Sequence, residues 1–276
     1  MKDEWLYAGG VKEKPAEYSF YGSDSEELYQ KNLKERYDEL KENGWIHQGI
    51  VDDDRIIGYK YDYNPYKPNE NDWVNLSYKI NKHGFRGEEM PTEKKPRSII
   101  TLGCSNTFGI GMPVGQIWST LVGNTLRQRA YNLGVPSGSL DLCFRVLIAW
   151  LPKIRPSHVF LLEPPGIRYE IITNSFGMHS STIHNTTPVG IRFEHEDEWT
   201  LHREKTMRAI KSLCDQFETP FYHVSYDEQL TTETAEMFGR VDAARDLAHP
   251  GRNTHTYIAM NLLKLAGYKW DVEING

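Results

Sequence analysis

The sequence predicts an α/β domain, a parallel sheet packed between helical layers, preceded by an N-terminal extension. Two observations carry this. From residue 97 onward, short apolar runs alternate with longer amphipathic stretches in a βα rhythm. Within 158–162 the run VFLL is apolar at successive positions, which suits a parallel strand covered on both faces.

The extension, 1–96, is rich in Tyr, Lys, Glu and Asn. Residues 23–45 carry its helix signal. Ser23 or Ser25 can cap the start, acidic residues fill the first turn, and Gly44 can end it. Leu28, Leu33, Tyr37 and Leu40 supply a modest apolar stripe. The tyrosine-rich run IIGYKYDYN (56–64) reads as strand or extended loop. Its tyrosines and Trp73 can stack on sugars, but a small local core is the simpler use for them. MPTEKKP (90–96) reads as a connector, two prolines bracketing a charged run.

In the second region, 97–276, the expected elements follow in order. Residues 98–102 (SIITL) form a short buried strand ending in a glycine turn, LGCSNTFGIG. Residues 116–128 form a helix and 130–135 a second strand. Residues 140–154 form an amphipathic helix with Leu140, Phe144, Leu147, Ile148 and Leu151 on one side. Residues 158–162 form the third strand. The long polar stretch 174–197 after it reads as a lid or substrate-binding insertion. Residues 200–217 form a helix, 221–224 a strand and 253–266 the last helix. In parallel sheets ligands sit beyond the carboxyl ends of the strands, so chemistry is sought in the loops that follow them.

Composition excludes several classes. A chain of 276 residues with 39% hydrophobic and 25% charged residues is globular rather than disordered. A net charge of -6 argues against a nucleic-acid partner, which favours a basic face. Cys104, Cys143 and Cys214 are odd in number, widely spaced and without a CxxC pair. They read as reduced, buried thiols rather than a disulfide framework or zinc site. His179, His184, His195, His202, His223 and His255 show neither HExxH nor a convincing i,i+4 pair, so no metal is expected. MKDEWLYAGG lacks the apolar core of a signal peptide. The longest apolar segment, 146–151, falls far short of the roughly 20 residues that span a bilayer. The expected setting is cytoplasmic, or another that needs no signal peptide, a virion included.

Candidate chemistry lies at the two ends of this region. Ser105 stands just past the first strand between Gly103 and Gly109. A nucleophilic serine needs such a turn, with backbone N–H groups free for an oxyanion. The same turn suits a phosphate cradle or a plain tight connection. Near the other end, ARDLAHPGRNTHTYIAMNLL sets Asp246 and His249 three apart before a helix. Histidine is the side chain suited to take a serine's proton near neutral pH, and a carboxylate orients its ring. The plain alternative is a turn-capping Asp246 and a surface His249.

A GxS turn after the first strand, with DxxHPG before the last helix, resembles the SGNH (GDSL-like) hydrolase superfamily. The similarity spans about residues 80–266 and includes the lead-in NKHGFRGEE (81–89). The compact pattern and tyrosine-rich extension resemble virus- or phage-encoded relatives. The resemblance implies a three-layer α/β/α sandwich with a flavodoxin-like parallel sheet. It further implies a Ser105–His249–Asp246 triad, no metal or organic cofactor, and a small-molecule or glycan ester as substrate. Where the family carries Asp before the serine, this chain has Cys104. The family's second block is matched by YNLGVPSGSLD, in which the backbone N–H of Ser137 or Gly138 is the expected oxyanion donor. The third block, GxND, is missing: LLEPPGIRYEI puts Gly166 where the asparagine belongs. Arg168 can offer its guanidinium to an oxyanion or an anionic substrate group. An ion pair with Glu163 or Glu170 is the simpler expectation for it. Asn174 is a distant second candidate for the lost donor.

Overall fold

A computed structural model describes residues 78–136, 138–164, 168–173, 177–182, 196–225 and 249–270. The expected helix at 23–45, the tyrosine-rich run and Trp73 lie outside the described residues. So do Ser137, Gly166, Asn174 and Asp246.

The centre is a sheet of four parallel strands, β1 (Ser98–Leu102), β2 (Arg129–Asn132), β3 (His158–Glu163) and β6 (Phe221–Ser225), in the order β2-β1-β3-β6. Ile99 of β1 aligns with Ala130 on one side and His158 on the other. Leu161 of β3 aligns with His223 of β6. Among the described residues five helices accompany the sheet: α1 (Ser105–Phe108), α2 (Trp118–Thr125), α3 (Leu140–Ile154), α4 (Glu196–Gln216) and α5 (Arg252–Leu265).

Alternation along the strands builds two cores. Ile100, Leu102, Val159 and Leu161 face one way, against Leu147 and Leu151 of α3 and Ile210 and Cys214 of α4. Ile99, Phe160 and Leu162 face the other way, against Trp118 and Val122 of α2 and Ile258 and Leu262 of α5. Both faces are covered, so the fold is α/β with helices on either side of a parallel sheet, as the βα rhythm predicts. Phe85 and Met90, from the segment before β1, join the first core. The thiols of Cys104, Cys143 and Cys214 are free and buried, as expected. Burial pushes the Cys143 thiol well up and the Cys214 thiol up to about 12.

Most boundaries follow local chemistry. Helix α3 has the predicted limits because Ser139 caps it, its hydroxyl accepting from Leu142 N at 3.2 Å, and Arg155 ends it in a left-handed turn. Helix α2 is shorter than expected, because Val114–Gln116 form a separate 3-10 turn. Part of the stretch read as a lid or substrate-binding insertion, 174–197, is strand: residues 177–182. β4 (Arg168–Thr173) and β5 (Gly177–Thr182) make an antiparallel hairpin, with Ile171 opposite His179. Its second strand, GMHSST, lacks the apolar alternation that marks a strand in sequence. Among the described residues no helix is long and apolar enough to cross a membrane.

Gly103, at the exit of β1, carries a steric demand. Its φ is +151°, and a Cβ there would stand 2.0 Å from Thr107 Oγ1 and 2.7 Å from the Leu162 carbonyl oxygen. Gly103→Ala is therefore expected to destabilise the protein by about 3 kcal/mol, combining overpacking with backbone strain. Gly115, which has open space around its α-carbon, is the control, and Gly115→Ala should stay within about 0.5 kcal/mol of wild type. Urea unfolding of both variants checks this.

Candidate active site

The strand order fixes where a ligand crevice opens. The chain moves from β1 to β2 on one side and then back to β3 on the other. The carboxyl ends of β1 and β3 thus form a topological switch point, where helices leave in opposite directions. Ser105 opens α1 three residues past Leu102, the end of β1. Beside it β3 ends in Glu163, followed by buried Pro164.

Helix α1 is a single turn. The Cys104 carbonyl accepts from Thr107 N (3.0 Å) and Phe108 N (2.9 Å), and the Ser105 carbonyl from Gly109 N (2.8 Å) and Ile110 N (3.2 Å). Gly109 closes the turn at φ +82°. The first amides of such a turn have no intrahelical acceptor and carry the positive end of its dipole. Ser105 is 7% exposed. Among the described residues its hydroxyl makes one approach, 3.9 Å to Cys104 Sγ.

The lead-in segment holds this turn. Asn81 Oδ1 accepts from His83 N (3.0 Å) and Phe85 N (3.1 Å), while its Nδ2 donates to the Glu88 carbonyl (3.0 Å). The tight loop so formed delivers Arg86 under α1. Arg86 Nη1 donates to the carbonyls of Phe108 (3.0 Å) and Gly109 (2.6 Å), and Nη2 to that of Met112 (2.7 Å). The guanidinium lies 4.6 Å from the Tyr78 ring centroid and 5.6 Å from that of Phe108. Burial lowers its pKa to about 10, so the group stays charged at neutral pH.

The end of β2 presses on α1 from the other side. Asn132 Nδ2 donates to the Thr107 carbonyl (2.8 Å), and its Oδ1 accepts from Gly134 N (2.9 Å). A Cβ on Gly134 would meet Phe108 N at 2.5 Å. This glycine serves close packing of the turn against α1. Gly138 departs from expectation. Its N–H donates to the Val135 carbonyl at 2.8 Å, so this amide is occupied and not available to an oxyanion.

The far end of the chain returns to the same neighbourhood. His249 is half-buried, and Gly251 two residues on is the N-cap of α5. Buried His255, on the first turns of α5, accepts at Nδ1 from Trp118 N, 3.2 Å away. Ile117 has no side chain to cap α2, so this imidazole does it. A ring nitrogen that accepts is unprotonated, and the proton of the neutral ring sits on Nε2, which is buried without a partner. Burial, then the charges of Arg86 and His249, push His255 down to about 3. The Trp118–His255 bond brings the start of α5, which follows His249, to the start of α2, which follows the serine turn.

At the third block Glu163, read from the sequence only as a partner for Arg168, has other partners. It closes β3 as a buried carboxylate. Oε2 accepts from Arg203 Nε (2.7 Å) and pairs with Arg203 Nη2 (2.6 Å), while Oε1 lies 2.6 Å from His223 Nδ1. Burial pushes its pKa up, but the His223 hydrogen bond and the Arg203 charge outweigh that and leave it below the usual carboxylate range. A carboxylate ending an otherwise apolar strand was the available signal. Glu170 is held by Arg145, whose Nε donates to both of its oxygens at 2.9 Å. Arg168 therefore pairs with neither carboxylate, contrary to the simpler expectation. Its Nε and Nη1 are buried and have no hydrogen-bond partner among the described residues.

No family model matches this chain, and no curated protein does. Solved structures similar to it include a member of the lipolytic G-D-S-L family from Veillonella parvula. It is 14% identical, with 61% of this chain and 97% of that chain covered and a TM-score of 0.34. A lipolytic protein of the G-D-S-L family from Desulfitobacterium hafniense is 11% identical, with 59% and 95% covered and a TM-score of 0.35. An acetylxylan esterase from Geobacillus stearothermophilus is 13% identical, with 67% and 100% covered and a TM-score of 0.34. At these TM-scores the site rests on this chain's own geometry. The viral or phage relatives suggested by the sequence find no support in these comparisons.

The His255 geometry gives a pH prediction. A depressed imidazole pKa contributes stability that is fully present above the ordinary value near 6.5 and is lost as pH falls toward 3. In His255→Asn the amide oxygen can replace Nδ1 as acceptor without titrating. Between pH 7 and pH 5 the wild type should lose about 2 kcal/mol more than this variant. Urea midpoints at the two pH values check it, and equal losses would contradict it.

Proposed function

We propose that the protein is a serine-dependent ester hydrolase with Ser105, His249 and Asp246 as its triad. The observation that carries the reading is the hydrogen bond from Trp118 N to His255 Nδ1. It ties the start of α5, just after His249, to the start of α2, the helix that follows the Ser105 turn at the end of β1.

The chemistry follows from those residue types. Ser105 Oγ attacks the ester carbonyl carbon while His249 takes the hydroxyl proton. Asp246 holds the imidazole in the accepting tautomer. The tetrahedral oxyanion is bound by the N–H groups of Ser105 and Ser137, the Gly138 amide being engaged elsewhere. Collapse breaks the C–O bond, and His249 gives its proton to the departing alcohol. Water then attacks the acyl-serine, passes a proton to His249 and releases the acid as that proton returns to Ser105. No metal or organic cofactor enters these steps. The substrate class is a short acyl or acetyl ester, with carbohydrate among the alcohols it can carry.

A second reading is a catalytically silent module on the same fold. Two observations favour it: the GxND asparagine is missing, and the Gly138 N–H is tied to Val135. Turnover of p-nitrophenyl acetate and butyrate by wild type and by Ser105→Ala separates the two. The hydrolase reading expects a loss of at least about 10³-fold in kcat. Equal rates in both proteins remove Ser105 from the mechanism.

A further inference from the structure

We infer that Arg168 is a docking cation for an anionic group, a carboxylate or a phosphate, carried by the substrate. This deepens the hydrolase reading and rests on it for the word substrate. The anion site itself stands on separate observations.

The first is the state of the neighbouring acids. Glu163, five residues before Arg168, is matched by Arg203 at 2.6 and 2.7 Å and by His223 at 2.6 Å. Glu170, two residues after it, is matched by Arg145, with Nη2 at 2.8 Å from Oε1 and Nε at 2.9 Å from both oxygens. Asp141, on the first turn of α3, accepts from Glu170 N at 3.2 Å and lies 3.0 Å from His202 Nε2. These three acids are engaged, each by a group other than Arg168.

The second observation is Arg168 itself. Arg168 is half-buried, and its Nε and Nη1 are shielded from solvent with no hydrogen-bond partner among the described residues. Leaving a buried charged donor unpaired is among the costlier arrangements a fold can hold. Here it occurs beside a set of ion pairs that are otherwise well matched. A site completed by a ligand accounts for both facts.

The third observation is position. Arg168 opens β4, just past the carboxyl end of β3. The Glu170–Asp141 bond pins that part of β4 to the start of α3, which follows the carboxyl end of β2. Arg168 thus opens a strand that starts near the carboxyl ends of β2 and β3, the end of the sheet from which Ser105 also leaves. A planar guanidinium fits the paired oxygens of carboxylate or phosphate, and binds a neutral amide far less well.

The test uses the full chain at constant ionic strength. Calorimetric titration with adipate, inorganic phosphate and neutral adipamide is run on wild type, Arg168→Met and Arg168→Lys. Wild type should bind at least one of the two anions, and adipamide on the order of tenfold more weakly or not at all. Arg168→Met should lose that preference, and Arg168→Lys should recover part of it. Adipate and phosphate distinguish the two forms of the anion. Kinetics then compare 3-carboxyphenyl acetate with 3-carbamoylphenyl acetate. Arg168→Met should reduce the preference for the charged ester on the order of tenfold, mainly through KM, with the neutral ester within about twofold of wild type. Anion binding that survives in Arg168→Met, or wild type that binds neither anion better than the amide, overturns the inference. So does an equal fall for both esters, which marks a purely structural role. If no ester is turned over while anion binding still depends on Arg168, the hydrolase reading fails and the anion site stands.

Discussion

The structure depends on one buried cation. Arg86 has no carboxylate partner among the described residues; three carbonyl oxygens, from Phe108, Gly109 and Met112, take its donors, and two aromatic rings take its faces. Each carbonyl belongs to the end of α1 or the loop after it. A four-residue helix cannot hold its own shape, since a single turn fixes many dihedrals for few hydrogen bonds. The guanidinium supplies what the helix lacks, and Asn132 adds a bond to Thr107 from the opposite side. The orientation of Ser105 is therefore a tertiary property, set by residues from the lead-in segment and from β2.

The same site shows how charge is distributed around the carboxyl ends of the strands. Buried acids are matched there by specific cations: Glu163 by Arg203 and His223, and Glu170 by Arg145. Such pairs contribute little net stability against an apolar alternative, but each is costly to break. They fix β3, β4, β6, α3 and α4 relative to one another at the crevice. His255 adds a different device. Its neutral ring caps α2 and so locks the start of α5, next to His249, to the helix after the serine turn.

Much of this was legible in the sequence, and the exceptions have physical causes. Residues 98–102 and 140–154 gave their limits directly, the first as a short β-branched, mostly apolar run ending in glycine and the second as a capped amphipathic stripe. The covering of both sheet faces was readable from VFLL. The β4–β5 hairpin was not, because GMHSST carries almost no apolar pattern and its pairing to β4 is what makes it a strand. Glu163 and Glu170 were visible as partners for Arg168, but sequence distance does not rank cations. Arg203 and Arg145 reach those acids from α4 and α3, 40 and 25 residues away. Gly138 looked like a free donor because a backbone amide's acceptor is set by turn geometry, which the letters do not reveal. His255 looked like one histidine among many. Its role appears only when the start of α2 is brought to it.

The central claim is that Ser105 is an activated nucleophile, and covalent labelling tests it most directly. The full chain is treated with a fluorophosphonate, and the adduct is located by intact mass and peptide mapping. The account predicts one equivalent of adduct at Ser105, with none formed in His249→Ala, where the general base is removed. Absence of an adduct on folded wild-type protein, or an adduct at Ser105 that forms as readily without His249, would contradict it.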